Sequence, residues 1–187
     1  MNNYATFGQR FAAMWIDFFV LLPLMVAEGW LGSVSKGAAL ALVIPMAIAY
    51  VAYTIYYHGR FGQTIGKRMM GIRVVRTTGE RIGWREAWLR SSIDVLFATL
   101  GGVGSLVALA AIGDADYYGV GWMQRAQNLA AHEPAWLAWT GTATQIWVWS
   151  ELVVMLFNKR RRALHDFIAG TVVTSDQRIP DAQSHAA

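Results

Sequence analysis

Acidic side chains in apolar surroundings are the first chemistry this 187-residue chain offers. Asp17 and Glu151 each interrupt a long apolar stretch. Out of water a carboxylate resists ionisation, and two close together would hold one proton or share one cation, as an ion site or equally as a hydrogen-bonded structural pair that locks the bundle. Tyr50, Thr54 and Tyr57 recur at i, i+4 and i+7, which places hydroxyls on one helix face within reach of such a pair. Glu28 and Asp94 are further acids in apolar stretches. Asp94 follows Arg90 by four residues, the spacing of a helical ion pair at an interface. Other chemistries are missing. With no Cys there is neither a thiol nucleophile nor a Cys-built zinc site. His58, His132, His165 and His185 show no metal-ligand spacing. His165-Asp166 has no Ser or Cys placed to serve as its nucleophile, and the glycine-rich segment 59–71 lacks the phosphate-loop pattern. No catalytic residue, cofactor site or metal site is expected, and the chain reads as a non-enzyme.

The elements that carry these acids are long and apolar almost all round. Residues 11–31, 38–57, 93–113 and 135–157 are four stretches of 20 or more residues, the second without a formal charge. Each spans about 30 Å of hydrocarbon at about 1.5 Å per helical residue. Buried helices of a water-soluble protein would alternate polar and apolar faces. Only 15% of the chain is charged and 55% is apolar, which also argues against disorder. The expectation is an all-α membrane protein built as a four-helix transmembrane bundle. Asp17 inside the first stretch argues for a retained helix rather than a cleaved signal peptide.

Lysine and arginine orient the bundle. The N-terminus, the segment 58–92 and the tail hold 14 of the 16, leaving only Lys36 and Arg125 for the other side. Positive residues stay in the cytoplasm. Both termini and 58–92 are therefore expected inside, and 114–134 is expected as an outer loop. Asp17 and Glu151 then lie at one level, each about 10 Å from the inner boundary. At about 100° per residue, Arg10, Asp17 and Glu28 fall on one stripe of the first helix. The basic run Lys159, Arg160, Arg161 and Arg162 beside the membrane suits anionic lipid headgroups, and its juxtamembrane position makes nucleic acid an unsuitable partner. Ala98/Gly102 and Gly101/Ser105 give small-xxx-small spacings that permit close helix approach, within the chain or between copies.

The cytoplasmic segment has structure of its own. Ile65 and Met69 suit a brief interfacial helix, and 83–92 suits a second that runs into the third span. Ile72-Arg-Val-Val-Arg-Thr77 and Gly170-Thr-Val-Val-Thr-Ser175 are β-branched runs without local partners, so they are expected to pair as a short two-stranded element. Residues 1–175 read as one domain, and 176–187 as a disordered cytoplasmic tail.

Three spaced motifs carry a family resemblance. Arg10 followed by Asp17, then Gly62-Gln-Thr-x-Gly-Lys-Arg-x-x-Gly-x-x-Val-Val75, then Arg162-x-x-His-Asp166-x-x-x-Gly-Thr-x-Val173 resemble the RDD family of small membrane proteins over about residues 4–175. The resemblance implies that Arg10 is the family's arginine and Asp17 its first aspartate, with Asp166 as the second and Asp94 as its rival. It also implies a multi-pass protein of the bacterial cytoplasmic (inner) membrane, and sodium–proton exchange has been suggested for some relatives. Two roles follow: an ion- or proton-coupled transport component using Asp17, Glu151, Tyr50 and Thr54, or a membrane scaffold whose basic face docks lipid, a second copy or another membrane protein.

Overall fold

The computed structural model describes residues 4–175; the expected disordered tail, 176–187, lies outside the described residues. Four long helices dominate: α1 (Phe7–Val34), α2 (Lys36–Phe61), α4 (Trp84–Ala111) and α7 (Ala135–Phe157). Short helices α3 (Ile65–Met69), α5 (Asp114–Tyr117), α6 (Trp122–Ala131) and α8 (Leu164–Ile168) lie between or after them, with strands β1 (Ile72–Arg76) and β2 (Thr171–Ser175). Helices α1, α2 and α4 are long and apolar enough to cross a membrane. Helix α7 carries Trp136, Trp139, Trp147 and Trp149 among its aliphatic side chains, with three threonines interspersed. The long helices turn large apolar groups outward, among them Phe19, Trp30, Ile48, Trp139 and Phe157. A contiguous exposed apolar surface of this kind suits lipid, not water.

Local chemistry sets where the helices begin. Before α1 the Thr6 amide donates to the Gln9 side chain, 2.9 Å, and the Gln9 amide donates to Thr6 Oγ1, 3.2 Å. This reciprocal box satisfies two amides that the first turn leaves without helical partners. Ser35 divides α1 from α2: its amide donates to the Leu31 carbonyl, closing one helix, and its Oγ accepts from the Ala38 amide, opening the next. At the head of α4 the Glu86 carboxylate accepts from the Gly83 amide at 2.8 Å. Pro23 and Pro45 lie inside α1 and α2, where each removes one backbone hydrogen bond, as apolar membrane helices tolerate.

The described residues form two compact units, and each long helix contributes to both. The first contains 4–20, 54–90 and 150–175. Here β1 and β2 pair antiparallel, with Val74 opposite Val173 and Arg73 opposite Thr174. Beyond β2 the chain start adds a bridge, Tyr4 opposite Thr174, and the Ala5 amide donates to the Val173 carbonyl. Ala5, Ala13, Ile72, Val74, Ile82 and Val173 make the core of this unit. The β-branched runs thus find each other across about 100 residues of chain, because neither had a nearer partner.

The second unit contains 21–53 and 91–149. Its 114–134 segment is folded, which the sequence reading did not foresee. Arg125 Nε donates to the Tyr117 carbonyl at 2.9 Å and its guanidinium stacks over the Tyr117 ring. Asn128 donates to the Asp116 carbonyl, and the Tyr117 hydroxyl donates to the Gly32 carbonyl. Of the glycines on α4, Gly104 makes the close approach: a Cβ there would lie 2.6 Å from Leu137 of α7, whereas one on Gly101 would meet open space.

Ending the chain after Asp166 removes β2, leaving Ile72 and Val74 uncovered and β1 without its ladder. Limited proteolysis should then cut within 72–82 at enzyme concentrations that leave the full chain intact. Equal resistance in the two would contradict the pairing.

Candidate functional site

Asp166 sits in the first turn of α8, where its Oδ2 accepts the Ala163 amide at 3.0 Å. The same oxygen accepts Arg10 Nη1 from α1 at 2.9 Å. Arg90 Nη1 from α4 donates to Oδ1 and to Thr171 Oγ1 of β2, and the Thr171 hydroxyl in turn donates to Asp166 Oδ1. The Asp166 side chain is 0% exposed, Arg90 4% and Arg10 10%. Burial alone would push the Asp166 carboxyl up, but Arg90, His165 and Arg10 together hold it well below the usual carboxylate range. Sequence spacing offered Arg90 a partner one turn on, Asp94; the structure gives it one 76 residues away.

Arg162 corrects a second expectation. Its place in the basic run suits lipid headgroups and its spacing suits Asp166 four residues on; the guanidinium turns inward, toward the Asp166 segment. Nε donates to the Thr171 carbonyl at 2.9 Å, Nη2 to the Asp166 carbonyl at 2.8 Å, and the group stacks 4.1 Å from the Phe167 ring. Lys159, Arg160 and Arg161 remain exposed.

Asp17 organises a different element. Its Oδ2 accepts the Thr64 hydroxyl at 2.6 Å and its Oδ1 the Gly66 amide at 2.7 Å, so the carboxylate of α1 anchors the first turn of α3. The approach requires glycine: a Cβ on Gly66 would lie 2.0 Å from the Ala13 carbonyl oxygen. One residue on, Lys67 Nζ lies 2.7 Å from His58 Nε2. His58 Nδ1 is 2.8 Å from the Thr54 carbonyl, which can only accept, so the imidazole proton sits on Nδ1 and Nε2 accepts from Lys67. Burial lowers the Lys67 ammonium to about 7; Arg90 and Arg10 add repulsion, while Asp17 and Asp166 oppose the shift.

Glu151 takes a third set of partners. Its Oε1 binds His165 Nδ1 and accepts the His165 amide at 3.2 Å. His165 Nε2 in turn lies 3.9 Å from Asp166 Oδ1, close enough for attraction and too far for a hydrogen bond. The expected site of Asp17, Glu151, Tyr50 and Thr54 is therefore divided. Asp17 is held by α3 and Glu151 by α8, Thr54 lends its carbonyl to His58, and Tyr50 belongs to the other unit, where it lines a cavity. Helical spacing placed the two acids at one depth, but it could not show that the loop and tail bring donors of their own. Lys67 and His58 were missed for the same reason, although Lys67 stood in the Gly62–Gly71 motif. No three His, Asp or Glu among the described residues cluster as a metal site.

Two outcomes follow. Asp166→Asn leaves Arg10 and Arg90 buried without their shared counter-charge, and loss of one partner from a buried pair costs about 3–5 kcal/mol; an unchanged melting temperature would exclude the clasp. With its folded-state value depressed, Asp166 contributes stability that is present above the ordinary carboxylate range and fades as pH falls below it. Lys67 acts at the other end. Between about 7 and the ordinary lysine value near 10.4, the unfolded chain binds its proton and the folded chain does not, so stability rises with pH across that window. The Lys67→Met variant should lose that rise, measured as the difference in melting temperature between its two ends.

The comparison with curated proteins gives no match. The model of the RDD family matches residues 4–170, a segment that includes Arg10, Asp17, the α3 segment, Arg90 and the Asp166 clasp. Matched over nearly its whole length, the chain belongs to the RDD family.

Proposed function

We propose that this protein is a non-enzymatic, proton-coupled cation exchanger of the bacterial inner membrane, with four spans, both termini inside, and Lys67 and Asp17 as its exchanging pair. One observation carries the reading: a half-buried lysine, its ammonium lowered to about 7, stands beside a neutral histidine and one residue from the amide that holds Asp17. With Lys67 protonated, its ammonium balances the Asp17 charge. When the proton leaves Nζ the lysine becomes a neutral amine, its attraction for Asp17 is lost, and a monovalent cation near that carboxylate would restore it. One positive charge departs and one arrives, so proton and cation compete for the same electrostatic vacancy. Charged groups that set the balance come from each neighbouring element: Asp17 and Arg10 on α1, Arg90 on α4 and Asp166 on α8, with His58 of α2 as the hydrogen-bond acceptor.

The orientation rests on charge. Thirteen of the fifteen Lys and Arg among the described residues belong to the first unit, and only Lys36 and Arg125 belong to the second. Such asymmetry suits a cytoplasmic first unit. Helix α7 serves as the fourth span: at 23 residues it is long enough, and Glu151 is its only formal charge. In this arrangement α3 and the head of α4 are interfacial. A scaffold reading stands second, supported by exposed Arg68, Lys159, Arg160 and Arg161, a basic surface suited to anionic headgroups or another protein.

Proteoliposomes loaded with a pH-sensitive dye test the choice. Pulses of sodium, lithium or potassium should drive proton movement that rises through a midpoint near 7, and Lys67→Arg, charged at every accessible pH, should abolish it, while its melting temperature below pH 7, where the lysine is charged as well, stays that of the wild type. Wild-type flux in the Lys67→Arg variant, or no flux with any of the three cations, would overturn the exchanger and leave the scaffold.

A further inference from the structure

The second unit contains a cavity of about 650 Å³, inside the size range of small-molecule sites and unrelated to Lys67 or Asp17. Its walls come from α1, α2, α4 and α6. The inner part is apolar and unusually roomy, because Ala98, Gly101 and Gly102 of α4 present no side-chain bulk, with Met25 and Met46 opposite in composition and Tyr50 adding an aromatic ring. A Cβ on Gly101 would meet nothing within 4 Å. Polar groups are few: Glu28 of α1 and Glu133 after α6 are acidic, and Arg125 is the one cation in the lining.

The charges do not cancel among themselves. Arg125 is committed to the Tyr117 carbonyl and ring. The carboxylates of Glu28 and Glu133 have no ion pair or hydrogen bond among the described residues. Glu28 is half-buried at the cavity wall, where a carboxylate without a counter-charge is costly. An occupant that answers both features brings a positive charge for Glu28 and an apolar body for the small-residue wall. The bare metal cation of the exchange reading supplies the first and not the second, and a neutral lipid chain supplies the second and not the first.

The geometry points to a binding site for a lipophilic organic cation in the second unit, with Glu28 as its counter-ion and the Gly101–Gly102 wall as its apolar bed. Tyr50 adds an aromatic ring to the lining, a group that attracts cations. A lipid ammonium headgroup shares the charge chemistry, but its glycerol and paired chains are bulkier than the bed, and the assignment here is to a free cation.

Isothermal titration of the purified full chain in maltoside micelles tests this, with tetraphenylphosphonium as probe and triphenylphosphine oxide as its neutral counterpart. The phosphonium should bind at least tenfold more tightly than the oxide. Glu28→Gln should weaken the phosphonium at least tenfold and leave the oxide unchanged. Gly101→Leu should fill the bed and weaken both, and because leucine favours a helix over glycine its melting temperature should not fall. Equal binding of phosphonium and oxide, unchanged phosphonium affinity in Glu28→Gln, or heat from lysophosphatidylethanolamine with none from the phosphonium would each overturn the assignment. Since neither variant touches Lys67 or Asp17, cation-driven proton flux in the same variants separates failure of this site from failure of the exchanger.

Discussion

One buried carboxylate holds the first unit together. Asp166 receives Arg10 from α1 and Arg90 from α4, and its own segment is tied by Thr171 and Arg162 to β2. Two guanidinium groups against one carboxylate is not a neutral arrangement, and a buried ion pair is weak evidence for net stability. What the arrangement provides is registry. Only one placement of α8 satisfies both arginines at once, and any other leaves a charge buried without a partner. Glu151, reached through His165, adds negative charge on the far side and relieves part of the imbalance. Strand pairing then follows as a consequence, because fixing α8 delivers β2 to β1.

The same logic explains why the titrating group is a lysine and not one of the carboxylates. Asp166 is surrounded by donors and cations that hold its carboxyl well below the usual range. Lys67 has the opposite situation. It is half-buried near two arginines, and the partner within hydrogen-bond reach is a histidine nitrogen that accepts without carrying negative charge. In a cluster where positive charge is already plentiful, the ammonium is the ion easiest to lose. Asp17 lies close enough to keep its value near neutrality and prevent a further fall.

The two units differ in how they manage polarity. The first satisfies its buried charges internally, through pairs that join distant segments. The second has few charges, and the two carboxylates at its cavity, Glu28 and Glu133, have no ion pair or hydrogen bond among the described residues, beside a wall of glycine and alanine. Small residues in a membrane helix commonly serve close packing. Here that role falls to Gly104 against Leu137, while Gly101 faces open space, so spacing alone would assign the glycines wrongly.

The apolar stretches, the β-branched runs and the lysine–arginine distribution determined the long helices, the paired strands and the grouping of basic segments. These are properties of single segments, set by backbone hydrogen bonding and transfer free energy. The motifs likewise marked Arg10, Asp17 and Asp166 before any geometry was known. Tertiary structure decided who pairs with whom. Arg90 had a local candidate in Asp94 and reaches Asp166; Arg162 had lipid or the Asp166 carboxylate and takes the backbone carbonyls of Asp166 and Thr171; Asp17 had Glu151 and takes Thr64 and Gly66. In each case the winning partner comes from a loop or tail segment whose position depends on the whole fold. Helical periodicity fixes depth and azimuth along one axis, but a hydrogen bond requires two groups within about 3 Å in three dimensions. Only the packed chain supplies the remaining coordinates.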